Sequence, residues 1–163
     1  VVVETAGLDM KPEDFGRRYM ERYMKLARET LEPNPGLIDL LAYLSEKVKL
    51  AIASSTERAA IEELMRKINV LDYFEVVVGG DEVHESKPSP IIYLRAAELL
   101  GVKPEECVVV EDSPNGIRSG VRAGMEVLGV RNEENAHLDL SFSKDVFEDL
   151  YKVKEYLEKL LES

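Results

Sequence analysis

Two periods of apolar and polar positions take turns along most of this chain. Short runs rich in Val, Ile and Ala occupy residues 48–53, 75–79, 107–111 and 125–130. Before, between and after them, apolar residues recur every three or four positions over 36–46, 57–68, 90–100, 114–123 and from about 153. Five- or six-residue runs with three to five apolar positions fit strands buried on both faces, and the longer stretches fit helices that bury one stripe. Their alternation predicts an α/β fold, a Rossmann-like parallel sheet with helices on both faces. Gly124 stands where the 114–123 helix must stop, and Leu140 to Phe142 are expected to add a short last strand.

Ahead of this pattern, Lys11 to Glu32 places Phe15, Tyr19, Tyr23, Leu26 and Ala27 at helical spacing and predicts one amphipathic helix. Pro33-Asn34-Pro35-Gly36 ends it and marks the one clear boundary in the sequence.

The chemistry-bearing residues gather where predicted strands end. Val108-Val109-Val110 runs directly into Glu111-Asp112-Ser113-Pro114-Asn115-Gly116, and in open α/β sheets ligands bind beyond the carboxyl ends of the strands. Two readings stand side by side. Asp112 or Ser113 caps the next helix and Glu111 is solvated, or the adjacent acids hold a metal. The run Ile52-Ala53-Ser54-Ser55-Thr56 ends a second strand in hydroxyls, which either cap a helix or, with its free N–H groups, cradle an oxyanion. Ser86-Lys87-Pro88-Ser89-Pro90 mounts Lys87 on a stiff loop that opens the next helix. Such a lysine is either solvated or aimed at an anion.

Composition narrows the function classes without choosing among them. The 163 residues carry a formal charge of -11, which argues against nucleic acid, since a phosphate backbone needs a basic face. The sequence holds no run of the roughly 20 apolar residues that a bilayer span requires, so no membrane role is expected. A lone cysteine, Cys107, forms no internal disulfide, and a cytoplasmic location is expected. His84 and His137 lie in polar segments, without partner residues at metal-binding spacing.

Taken in order, Ile52-Ala53-Ser54-Ser55-Thr56, then Gly79-Gly80-Asp81 with Ser86-Lys87-Pro88-Ser89-Pro90, then Val110-Glu111-Asp112-Ser113-Pro114-Asn115-Gly116 resemble the second, third and fourth motifs of the haloacid dehalogenase-like superfamily. The likeness is to its phosphatase and β-phosphoglucomutase branch and runs from about Pro33 to the C-terminus. It implies a Mg²⁺-dependent phosphomonoester hydrolase of small phosphorylated metabolites, working through an aspartyl phosphate. A phosphosugar mutase, or a non-catalytic phosphate-binding remnant, would keep the same residues.

By the same resemblance Ser54, Ser55 and Lys87 bind phosphate, Ser54 and Lys87 act in catalysis, and Asp112 with Glu111 holds Mg²⁺. Asn115, Arg17 and Arg18 are candidates for substrate contact. Residues 1–33 correspond to part of a helical cap and 34–163 to the α/β core, with 33–36 as the hinge between them. The family's first motif, a strand ending in Asp-x-Asp, has no counterpart: the sequence opens Val1-Val2-Val3-Glu4-Thr5 and contains no Asp-x-Asp through residue 33. The expectation is therefore a chain truncated before its nucleophile and inactive alone. Its central strand position would be filled by an N-terminal fragment, by a strand swapped with a second copy, or by rearrangement of the sheet.

Overall fold

The computed structural model describes residues 12–162. The chain divides into two compact units, residues 1–32 and 33–163. In the first, helix α1 (Pro12–Thr30) takes up most of the amphipathic stretch predicted over Lys11 to Glu32; Lys11 lies outside the described residues, and Leu31 and Glu32 follow the helix. Tyr19, Tyr23 and Leu26 on it are exposed.

The second unit opens with α2 (Leu37–Ser45), whose start needs Gly36: its φ of 84° lies in the left-handed region, and a Cβ there would meet the Tyr151 ring at 3.2 Å. The elements that follow are β1 (Ala51–Ala53), α3 (Arg58–Lys67), β2 (Val76–Val78), α4 (Ile91–Leu100), β3 (Val108–Glu111), α5 (Pro114–Arg122), β4 (Glu126–Val130), β5 (Asp145–Phe147) and α6 (Leu150–Glu162). Every strand pair is parallel. The strands form two separate ladders, β1-β2 and β3-β4-β5.

Pleating sends alternate side chains of β4 to opposite layers. Val127 joins a core built with Ile92 and Ala96 of α4 and Ile117 of α5. Leu128, its neighbour, packs instead with Leu40 and Leu44 of α2 and Val153 and Leu157 of α6. Val127, Leu128, Ile117 and Val153 are each at most 1% exposed, and burying such a side chain contributes about 1.5–3 kcal/mol. These two apolar layers anchor strands of only three to five residues, as an α/β fold with helices on both faces requires.

The last strand lies later than expected. Residues Leu140 to Phe142 form no strand; β5 is Asp145–Phe147, pairing with Leu128–Val130 of β4. Leu140 is fully buried, and its carbonyl accepts from both the Ser143 backbone N–H, at 3.1 Å, and the Ser143 hydroxyl, at 2.7 Å. That turn spends the apolar residue as an anchor, and the chain becomes extended only after it.

Among the described residues β1 pairs only with β2, and β3 on one side only with β4. The Ser54 N–H donates to the Val78 carbonyl. Alternation along the strand therefore turns the backbone groups of Ala53 to the other edge. Val108 and Val110 of β3 remain 38% and 39% exposed.

Candidate active site

The carboxyl ends of β1 and β3 are joined by one ammonium group. Lys87 Nζ donates to the Ala53 carbonyl at 3.1 Å, to the Tyr93 hydroxyl at 3.0 Å and to Glu111 Oε1. It also lies 4.6 Å from the centre of the Tyr93 ring. The loop carrying Lys87 is pinned from α5: the Ser119 hydroxyl donates to the Ser89 carbonyl at 2.6 Å, and Arg122 to the Pro88 carbonyl at 3.0 Å. Ser119 is fully buried, so this clamp is a fixed part of the fold.

Glu111 faces inward and has all its near partners supplied by the protein. Oε1 accepts from Lys87 and, at 2.5 Å, from Tyr93; Oε2 accepts from the Ser113 hydroxyl at 2.9 Å and the Asp112 and Ser113 N–H groups at 3.2 Å. The Lys87 and Glu111 side chains are 11% and 10% exposed. Burial pushes the Glu111 pKa up, but the Lys87 charge and the hydrogen bonds from Lys87, Tyr93 and Ser113 outweigh it and hold the carboxyl below its ordinary value. Burial and then the Glu111 charge raise the Tyr93 phenol, which stays a donor. The carboxylate lies so close over α5 that a Cβ on Gly116 would fall 2.0–2.1 Å from its atoms.

Asp112, one residue on, faces outward. Ser113 caps α5, its hydroxyl accepting from the Gly116 N–H at 3.1 Å, so Asp112 is not the capping residue. Its Oδ2 accepts from Asn132 Nδ2 at 3.1 Å, and the residue is exposed. Partial desolvation, followed by the neighbouring Glu111 charge, raises the Asp112 pKa against the lowering effect of Asn132.

The hydroxyls after β1 are likewise left out of helix capping. The α3 N-cap residue, Glu57, makes no side-chain cap; Asp81, from the turn after β2, accepts the Arg58 N–H at 2.8 Å instead. Ser54 Oγ accepts from the Thr56 N–H at 3.2 Å, closing a tight turn directly after the Ala53 carbonyl that Lys87 reaches. Ser55 is exposed beside it. The structure thus gathers the ends of β1 and β3 around Lys87. Asn115 is exposed in the first turn of α5. Arg17 and Arg18 belong to the separate first unit, where both are exposed and Arg17 pairs with Asp14 at 3.0 Å.

Comparison with known proteins gives this arrangement its context. The family model for haloacid dehalogenase-like hydrolases matches residues 2–130. This chain belongs to the haloacid dehalogenase-like hydrolases. Within that family it is 36% identical over 137 residues to the phosphorylated carbohydrates phosphatase of Thermotoga maritima, covering 83% of this chain and 63% of the relative. It is 32% identical over 130 residues to the fructose-1-phosphate phosphatase YqaB of Escherichia coli, covering 80% and 69%. The chain therefore spans about three fifths to two thirds of the length of these relatives.

Among solved structures of haloacid dehalogenase-like proteins, CbbY of Rhodobacter sphaeroides, crystallised with xylulose-(1,5)-bisphosphate, superposes with a TM-score of 0.78 at 31% identity. That match covers 87% of this chain and 67% of the other. A β-phosphoglucomutase from Clostridium difficile gives 0.80 at 26% identity, covering 98% and 73%. The likeness places the chain in the phosphatase and phosphoglucomutase branch of the haloacid dehalogenase-like family and carries its parallel α/β fold.

Members of this family named as phosphatases act on phosphate esters, and a Mg²⁺ ion suits such chemistry where hard oxygen donors are present. Among the described residues no group of three or more His, Cys, Asp and Glu side chains is assembled to hold a metal. At the end of β3, Asp112 presents a hard oxygen donor to solvent, and Mg²⁺ is commonly held by one or two carboxylates together with phosphate oxygens and water. The donor chemistry fits, with Asp112 as the protein ligand available and Glu111 engaged by Lys87.

Three residues of the site were not singled out from sequence. Tyr93 lies six positions after Lys87, within a helical apolar stripe that reads as core. Asn132 and Asn135 look like ordinary loop residues in Arg131-Asn132-Glu133-Glu134-Asn135. The Asn-x-x-Asn spacing is the one signal available, because Asx side chains bond the backbone of residues near them in sequence.

Proposed function

We propose that this chain is the phosphate- and metal-binding core of a Mg²⁺-dependent phosphomonoester hydrolase acting on small phosphorylated carbohydrates. The observation that carries the reading is the division of labour at the β3 end. A buried Glu111 fixes Lys87 between two strand ends while Asp112 faces solvent beside it. Relatives named as phosphatases of phosphorylated sugars support the substrate class.

In this reading Lys87 neutralises charge on the bound phosphoryl group, and Ser54 with the Ser55 N–H holds its oxygens. Asp112 is the protein ligand to Mg²⁺, with Glu111 nearby to keep the lysine in place; Asn115, Arg17 and Arg18 are candidates for substrate contact. Bound Mg²⁺ would supply positive charge at the phosphoryl oxygens. The attacking carboxylate belongs to a strand entering between β1 and β3, brought by an N-terminal segment or by a second copy. Attack on phosphorus would break the ester bond, release the alcohol and leave an acyl phosphate; water then cleaves it to inorganic phosphate and restores the carboxylate. A mutase would return the phosphoryl group to a sugar hydroxyl.

The test is phosphate release from fructose 1-phosphate and glucose 1-phosphate with and without Mg²⁺. It would use the 163-residue chain and a longer polypeptide bearing an Asp-x-Asp strand at its N-terminus. The expected result is turnover only in the longer polypeptide, lost on Asp112→Asn. Full activity in Asp112→Asn would sink the site assignment. Isomerised sugar phosphate without free phosphate would select the mutase. Phosphate binding without turnover in either polypeptide would select a binding protein.

A further inference from the structure

The loop after β4 carries two asparagines locked to one another. The Asn132 N–H donates to Asn135 Oδ1 at 2.9 Å, and the Asn135 N–H returns a bond to Asn132 Oδ1 at 2.8 Å. Because a backbone donor occupies each amide oxygen, the orientation of both carboxamides is fixed, and each Nδ2 must point away from the loop. Asn135 Nδ2 donates to the Asp112 and Val130 carbonyls, both at 2.8 Å. It thereby ties the exit of β3 to the exit of β4. Asn132 Nδ2 donates to the Asp112 carboxylate itself.

The clasp is held from outside as well as within. Asn135 is 4% exposed, and Arg131 donates to the carbonyls of Asn135, at 3.0 Å, and Leu138, at 2.7 Å. Leu138 and Leu140 pack into the core on the α4 and α5 side. A short carboxylate at a strand end would otherwise rotate freely about its side-chain bonds. Here its backbone and one of its oxygens are each held by a neutral amide, which fixes direction without cancelling charge.

We infer that Asn132 and Asn135 form the positioning element of the Asp112 carboxylate, Asn135 setting its backbone and Asn132 aiming its side chain toward a bound divalent cation. The inference rests on the proposed role of Asp112. Asn132 is exposed, but its Oδ1 accepts the Asn135 N–H, so a replacement that spares the fold must keep that acceptor. Asn132→Ser is the informative variant, since the hydroxyl can still accept the Asn135 N–H but is too short to reach Asp112.

The experiment is Mn²⁺ binding to the 163-residue protein, followed through the electron paramagnetic resonance signal of free Mn²⁺. Thermal unfolding and crystal structures of the wild type and Asn132→Ser accompany it. Loss of partners that orient a metal ligand commonly weakens affinity by about 10–100-fold. Asn132→Ser is expected to weaken Mn²⁺ binding at least about tenfold with an unchanged melting temperature, and Asp112→Asn to abolish it. Wild-type affinity in Asn132→Ser, with binding lost in Asp112→Asn, overturns the inference and leaves the proposed function standing. If Asp112→Asn binds like the wild type, or the wild type does not bind, the metal role of Asp112 fails, and with it the inferred aiming toward a cation.

Discussion

Removing Lys87 should cost stability as well as activity. Its partner Glu111 is 10% exposed and below its ordinary pKa only because the lysine and three kinds of hydrogen-bond donor overcome burial. Breaking a buried ion pair by deleting one partner costs about 3–5 kcal/mol, because a charge is left behind without its counterpart. Lys87→Ala also removes the donor to the Ala53 carbonyl. Glu111→Gln in the same chain removes the stranded charge, and the double variant should recover roughly half or more of the loss.

Urea unfolding at pH 7 measures all four proteins of the cycle. The pH dependence gives a second check. In the wild type the folded-state pKa of Glu111 is lowered, so its contribution is present above the unfolded value of about 4.3 and fades as pH falls. In Lys87→Ala burial prevails and the folded pKa rises, so the penalty shrinks as pH falls through that raised value. A Lys87→Ala loss below about 1 kcal/mol, the size of an exposed pair, would refute the argument from burial. So would a loss that is the same at pH 7 and pH 5.

Gly116→Ala brings a methyl to about 2 Å from the Glu111 carboxylate; we expect a loss of about 1–3 kcal/mol from overpacking, read as a lower urea midpoint with an unchanged slope. Asp81→Ala uncaps α3 from outside the helix and should cost about 1 kcal/mol in the same assay. Ser119→Ala releases the Ser89 carbonyl and should cost about 1–3 kcal/mol. In a polypeptide with turnover it should lower kcat more than it raises KM, since Lys87 loses its mount.

The sequence made the helices and four of the strands legible because each carries its own period, and Val127 beside Leu128 shows why both faces had to be apolar. It misplaced the last strand, since Leu140 owes its burial to a turn that no periodicity announces. At the site, Lys87, Glu111 and Asp112 stood out because charge beside an apolar run is conspicuous. Their division of labour did not, because it depends on which way two adjacent side chains leave β3. Tyr93, Asn132 and Asn135 were hidden for the same reason: their partners are 18, 20 and 23 positions away. Whether Ser or Asp caps a helix is likewise settled by neighbours in space, as Asp81 does for α3.

The pairing of β3 with β4, Val109 opposite Val127 and Glu111 opposite Gly129, has a consequence beyond packing. Successive residues on a strand leave it on opposite sides, so a slip by one position would exchange the inner and outer acids. Asp112 would turn toward Lys87 with a side chain one carbon too short, and Glu111 would turn outward, away from the lysine. A misregistered sheet thus yields a protein that neither anchors its lysine nor holds a carboxylate against Asn132. The hydrogen bonds that align two strands also act as a proofreading step: only a correctly threaded chain acquires the charge pattern of the site.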